Sequence, residues 1–176
     1  ATATTDGAGI TGVTVVTYSG ATAFPTATVT GNAVIAVTAK VFSASVVSSG
    51  TGAWVIGDTV TIAKATIGTG GSADVVLTVS AIDGSDVVTA VTVTTAGTFT
   101  GLTDITAVAI ASTTSSAGSA ATFDLTLAIA TIAVTTPGTG YATAPNVILG
   151  GTGLAGQVAT ATTDGAGITG VTVVTY

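Results

Sequence analysis

The sequence predicts an all-β chain built from repeats, and three observations carry the prediction. Of 176 residues, 41 are Thr, 25 Val and 12 Ile. Such side chains are stiff at χ1, lose freedom in a helix and pack well on a pleated surface. Glycines cluster between the β-rich runs, as in GTGG (68–71) and GGTG (150–153), where they act as turn signals. Residues 1–18, ATATTDGAGITGVTVVTY, recur letter for letter as residues 159–176, and chance does not produce eighteen consecutive identities. The form expected is a repetitive, elongated β-solenoid or interlocked β-prism fibre, with about four degenerate units of roughly 40 residues in each period.

The period is the offset between the two copies, 158 residues (159 minus 1). The recurrence marks a long tandem array of a 158-residue unit, a real duplication of the two ends, or an artefact of sequence assignment. Inside the period a β run meets a glycine turn and then an aromatic four times: VTVVTYSGATAF (13–24), SVVSSGTGAW (45–54), VTVTTAGTF (91–99) and IAVTTPGTGY (132–141). Gly20, Gly50, Gly97 and Gly138 precede Phe24, Trp54, Phe99 and Tyr141 within four residues. Together with Gly57, Asp58, Gly140 and Pro145, these are the residues expected to form turns and packing contacts. The chain reads as one repetitive segment over 1–176, with approximate units 13–47, 48–90, 91–131 and 132–170. A unit of that size cannot bury a core alone, so neighbouring units or neighbouring chains must complete it.

Strand patterning agrees with this. In VTVT (91–94) the valines Val91 and Val93 face one way and Thr92 and Thr94 the other, the period-2 mark of a half-buried strand. FDLTLAIA sets Phe123, Leu125, Leu127 and Ile129 opposite Asp124, Thr126, Ala128 and Ala130. After Thr131 the phase changes to Ile132 and Val134, where a turn or bulge would restore the inward face. VVLTVSAI (75–82) is apolar on both faces at several positions, so it is expected to be covered on both sides.

Two stretches resemble a known class of proteins. Residues 135–173, TTPGTGYATAPNVILGGTGLAGQVATATTDGAGITGVTV, resemble the Gly-Tyr-Ala-Pro repeats of bacteriophage tail fibres and other virion appendages. GAWVIGDTVTIAKATIGTGG (52–71) is similar to the Val-Gly-Asp-Thr segments of phage structural proteins, with Trp54 at the usual Tyr position and Gly57 and Asp58 retained. Together they cover about half the period, and similar repeats occur in secreted bacterial adhesins. The resemblance implies an elongated, usually trimeric β fibre whose repeats interlock from chain to chain. SGATAFPT (19–26) departs from it by lacking the full Gly-Tyr turn.

Composition excludes several functions. Only 6% of residues are charged: Lys40, Lys64 and eight aspartates, for a net charge of −6 and no His, Cys, Arg or Glu. Two lysines cannot supply the basic stripe that phosphate neutralisation needs, so no nucleic-acid partner is expected. A chain without His lacks the usual general base and the commonest metal ligand together. No apolar run approaches the roughly 18 residues of a membrane helix, so no membrane insertion is expected. The sequence does not open with Met or a charged n-region, so no signal peptide is visible and a processed or excised piece is expected.

Each constellation that suggests chemistry has a plainer reading. Gly151, Gly153 and Gly156 spell G-x-G-x-x-G, but the β-branched QVATATTDG follows where a dinucleotide site needs a helix. Asp83, Ser85 and Asp86 offer too few oxygens for calcium, and Asp-Gly between β runs signals a hairpin. Asp58 is expected to bond local backbone amides. The lysines read as solvated or strand-edge groups rather than members of a Ser–Lys dyad. The recurring aromatics read as packing groups, with stacking on host surface glycans as the rival role. A carbohydrate-active enzyme would need paired acids lining a groove, so no enzyme, cofactor or metal is expected.

Low charge leaves strand edges unguarded, which favours their use in self-association as a homotrimer or helical filament. Thr ladders would cover the outside with neutral hydroxyls resistant to pH and salt. The function expected is a structural fibre or filament segment of a bacteriophage tail fibre or virion appendage, extracellular or on the virion. The alternative is a secreted bacterial or archaeal cell-surface filament or adhesin.

Overall fold

The computed structural model describes the backbone of residues 2–5, 10–14, 19–24, 26–29, 34–113, 118–136, 146–150, 158–163 and 168–173, and the side chains of 22–24, 26, 36–111 and 118–132. Among these the strands are β1 (Thr2–Thr5), β2 (Ile10–Thr14), β3 (Ser19–Ala21), β4 (Thr26–Val29), β5 (Val34–Ser48), β6 (Thr59–Ile62), β7 (Gly68–Thr69) and β8 (Val75–Ile82). They continue as β9 (Val88–Thr95), β10 (Gly101–Leu102), β11 (Val108–Ala109), β12 (Ser112–Thr113), β13 (Thr122–Thr136), β14 (Asn146–Gly150), β15 (Val158–Thr163) and β16 (Ile168–Val173). A single helical turn, α1 (Lys64–Ile67), separates β6 from β7. The described chain is therefore all-β, as its β-branched composition dictates.

Each pairing whose register is described is antiparallel. That is the geometry of hairpins and meanders. The chain divides into two compact units, one of Ala1–Ala39 with Ile129–Tyr176 and one of Lys40–Ala128. The sequence units end elsewhere, at 47, 90 and 131.

In the first unit β1 pairs with β2, with Thr2 opposite Thr14, Ala3 opposite Val13, Thr4 opposite Gly12 and Thr5 opposite Ile10. The outer side of β2 meets β13, Val13 opposite Ile132. A second sheet runs β16-β15-β14-β4. There Thr160 lies opposite Thr172, Ala161 opposite Val171, Thr162 opposite Gly170 and Thr163 opposite Ile168. Adding 158 to each β1–β2 number gives these pairs, and the register irregularity between Thr4 and Thr5 recurs between Thr162 and Thr163. The two copies of the 18-residue segment thus make the same ladder.

The second unit is built on the sheet β12-β6-β8-β9. Central β8 buries Val75, Leu77 and Val79, and leaves Val76 and Ile82 half-buried. Its neighbours add Val60 and Ile62 from β6 and Val88 from β9. In β9 Val91 and Val93 are half-buried and Thr92 and Thr94 exposed, the alternation read from VTVT. Phe123, Leu125 and Leu127 of β13 are also buried. Along β13 buried positions run on odd numbers to Ile129 and then shift to Ile132, with Ala128 also buried between. The strand continues unbroken to Thr136, so no turn makes the shift. The change falls at the boundary between the two compact units, Ala128 to Ile129.

Candidate functional site

The carboxylates are the natural place to look for chemistry in a chain without His or Cys, and the backbone already holds most of them. Asp58 Oδ2 accepts the Val55 N–H at 2.8 Å, while the Asp58 N–H donates to the Val55 carbonyl at 3.0 Å. Asp74 Oδ1 accepts the Lys64 N–H at 2.9 Å, which satisfies an amide at the start of α1. Asp83 Oδ1 accepts from both Ser85 N–H (2.8 Å) and Val87 N–H (3.1 Å). Asp104 Oδ1 accepts the Thr106 N–H at 2.9 Å and its hydroxyl at 3.0 Å. Asp124 Oδ1 accepts the Ala107 N–H at 2.8 Å, tying β13 to the residues before β11.

The contacts of Asp58, Asp83 and Asp104 are local turn contacts of the kind short acidic side chains make, while those of Asp74 and Asp124 reach amides 10 and 17 positions away. The Thr106 N–H, then its hydroxyl, hold the Asp104 carboxyl below the ordinary carboxylate range. Among the described residues no three acidic, His or Cys side chains gather as a metal would require. Asp83 and Asp86 sit in one turn, closed by Asp86 N–H to the Asp83 carbonyl at 3.1 Å. The positive φ falls on Asp86 (57°), the last residue of this turn, and not on Gly84.

The second constellation is a pair of glycine-aromatic clasps, which draw on two of the four sequence units. Gly50 takes φ +71° and Gly97 φ +57°, and the aromatic after each is fully buried: Trp54 and Phe99 are each 1% exposed. The Trp54 N–H donates to the Asp86 carbonyl at 3.0 Å, and Thr51 N–H to the Ser119 carbonyl at 2.9 Å, so residues 51–54 are held on two sides. Gly118 lies on the indole face, where an added Cβ would stand 2.2 Å from Cδ2 of Trp54. Phe99 is held similarly, with Gly71 and Gly97 against its ring and Ser72 N–H donating to the Thr98 carbonyl at 2.9 Å. Burial removes both rings from any stacking on sugar. The indole Nε1 is buried and finds no hydrogen-bond partner among the described residues.

No protein-family model, curated protein or solved structure matches this chain. Of the other expected turn and packing residues, Gly20 lies within β3, Phe24 is half-buried, and Gly57 takes φ +99° in the turn before Asp58. Gly138, Gly140, Tyr141 and Pro145 lie outside the described residues, as do Gly151, Gly153 and Gly156. Lys40 and Lys64 are exposed. Gly118, Gly71 and the Asp124–Ala107 contact escape sequence reading, because their partners are 64, 28 and 17 positions away (118 minus 54, 99 minus 71, 124 minus 107).

The strand surfaces carry paired hydroxyls. Thr38 meets Thr131, Ser43 meets Thr126, Thr78 meets Thr94, and Thr51 Oγ1 lies 2.8 Å from Ser119 Oγ. Such cross-strand pairs are a neutral means of holding strands together. Among the described residues the large exposed apolar groups are Phe42, Val47, Val55 and Ile56, the last two in the turn that Asp58 closes. Among the described residues no helix is long and apolar enough to cross a membrane.

Proposed function

We propose that this chain is a structural segment of a self-associating fibre, in a bacteriophage tail fibre or related virion appendage outside the cell. The observation that carries this reading is the use of its carboxylates: Asp58, Asp74, Asp83, Asp104 and Asp124 all accept backbone amides. Groups that serve a catalyst as acid or base here close turns and tie strands. Paired hydroxyls on the strands and almost no charge give a neutral surface suited to lateral packing between copies. The antiparallel registers favour interlocked antiparallel blocks over a parallel solenoid as the fibre's form, with a trimer or helical filament as the assembly. No catalytic step is assigned to it.

The test is electron microscopy of the assembly purified from its source, with its companions identified. Elongated particles that co-purify with capsid protein and nucleic acid support the virion reading. Filaments free of both move the protein to a cell surface, as a filament or adhesin. Isolated compact particles at every concentration overturn the fibre reading itself.

A further inference from the structure

Within the unit Lys40–Ala128 one strand is left open along an edge and on both faces. β13 is occupied on its far side, where Val108 of β11 stands opposite Phe123 and the Leu125 N–H donates to the Ile105 carbonyl at 2.7 Å. On its near side lies β5, with Ser43 meeting Thr126. The Val41 N–H donates to the Ala96 carbonyl at 3.1 Å, and along residues 42–48 no backbone partner other than β13 follows among the described residues. The side chains change at the same place. Ala39 and Val41 are buried, whereas Phe42 and Val47 are each 52% exposed, Ser43, Ser45 and Ser48 are exposed, and Ala44 and Val46 are half-buried. Successive residues of a strand point to opposite faces, so neither face of this stretch is closed.

We infer that residues 42–48 are the contact by which two copies of the chain pair, edge to edge and antiparallel about Ser45. An open edge presents a row of N–H and C=O groups, and what satisfies such a row is another extended strand. The segment suits its own copy. VFSASVV (41–47) holds no charge, Pro or Gly, the composition of segments that pair with themselves, and it lacks the guards that keep edge strands apart. Centring on Ser45 uses the whole exposed stretch, with Phe42 opposite Ser48, Ser43 opposite Val47 and Ala44 opposite Val46. The nearest charge in sequence, Lys40, then falls opposite Gly50 of the second copy. The two Lys40 groups are ten positions apart along the ladder (50 minus 40), roughly 30 Å, well beyond the screening length of about 8 Å. A two-fold contact closes on itself, so this one joins copies side by side and leaves lengthwise growth to other surfaces. The choice of a second copy as partner rests on the self-association proposed above.

The test uses the full chain with single cysteines, since the natural sequence has none. On a two-fold axis only the central residue meets its own copy. Directly opposite Cα atoms of an antiparallel pair stand about 4.5–5.5 Å apart, within reach of a disulfide. Ser45→Cys should therefore give a linked dimer of twice 16.5 kDa on mild oxidation. Its yield should be about tenfold above that of Thr66→Cys, because thiols held together have a raised effective concentration; Thr66 is exposed on α1. Ser43→Cys and Val47→Cys should each link poorly alone, being four positions (47 minus 43) from their own copies, roughly 13 Å, and link well when mixed. Val47→Lys on the Ser45→Cys chain replaces an exposed side chain, sets a charge into the pair and should abolish the cross-link. Equal yields at 45 and 66, equal yields at 45 and 43 alone, or a cross-link indifferent to Val47→Lys would overturn the pairing. If heavier species still sediment in that case, the fibre reading stands and the copies meet elsewhere; a wild-type chain that is monomeric at every concentration overturns both.

Discussion

Gly118→Ala is the sharpest local test of the clasp around Trp54. The added Cβ would stand 2.2 Å from Cδ2, 2.4 Å from Cε2 and 2.7 Å from Cγ of the indole, where carbon atoms rest at about 3.5–4.0 Å. Relief therefore requires the ring or the 118–121 backbone to move by more than about an ångström. Neither is free: Trp54 is 1% exposed and anchored through its N–H to Asp86, and Ser119 holds Thr51 by both carbonyl and hydroxyl. Overpacking of this kind costs about 3 kcal/mol, the upper part of the usual range. At about 2–4 °C per kcal/mol for a chain of this size, Tm falls by roughly 10 °C. The chain has one tryptophan, so its emission reports the clasp directly and should shift to the red as the ring is pushed toward water. Gly84→Ala is the control, because an added Cβ there meets nothing within 4 Å, and its effect should stay within about 0.5 kcal/mol. Wild-type emission and melting in Gly118→Ala would refute the packing argument.

The second clasp predicts that Phe99→Ala costs about 3–5 kcal/mol, read as a lower denaturant midpoint at unchanged slope. Asp83→Ala leaves the Ser85 and Val87 amides without their acceptor and should cost about 1–2 kcal/mol in urea unfolding. Asp104 makes a pH prediction whose sign follows from the lowered folded pKa. Its stabilising contribution is complete above the unfolded value of about 3.9 and disappears as pH falls through the folded value. The gap in Tm between wild type and Asp104→Asn should therefore be present at neutral pH and close in acid; a gap that persists at the lowest pH would contradict the assignment.

The all-β class was legible because Thr, Val and Ile dominate every run, and no competing helical period exists. Alternation was legible in β9, where Val91 and Val93 turn inward and the threonines outward. In β13 the pattern itself was readable, while the reason for its break was not. A change of inward phase suggests in sequence a turn or a bulge; the strand runs through, so it is not a turn. Cover on both faces of β8 was overestimated from VVLTVSAI, since Val76 and Ile82 are only half-buried.

The Asp58 contact lies three residues from its partner, within reach of turn chemistry read from sequence. The Asp74–Lys64 and Asp124–Ala107 contacts join separate elements, and nothing local distinguishes those aspartates. The same holds for Gly118, whose role is defined by an indole distant in sequence. The antiparallel registers were hidden for a related reason. A repeat shows that units recur, but the sense in which their strands pair depends on connections that repetition does not encode.

Sedimentation velocity of the full chain over a wide concentration range tests the central claim, self-association of a structural β element, most directly. Self-association predicts species heavier than 16.5 kDa that grow with concentration and have the high frictional ratio of elongated particles. A single compact species of 16.5 kDa at every concentration would contradict it.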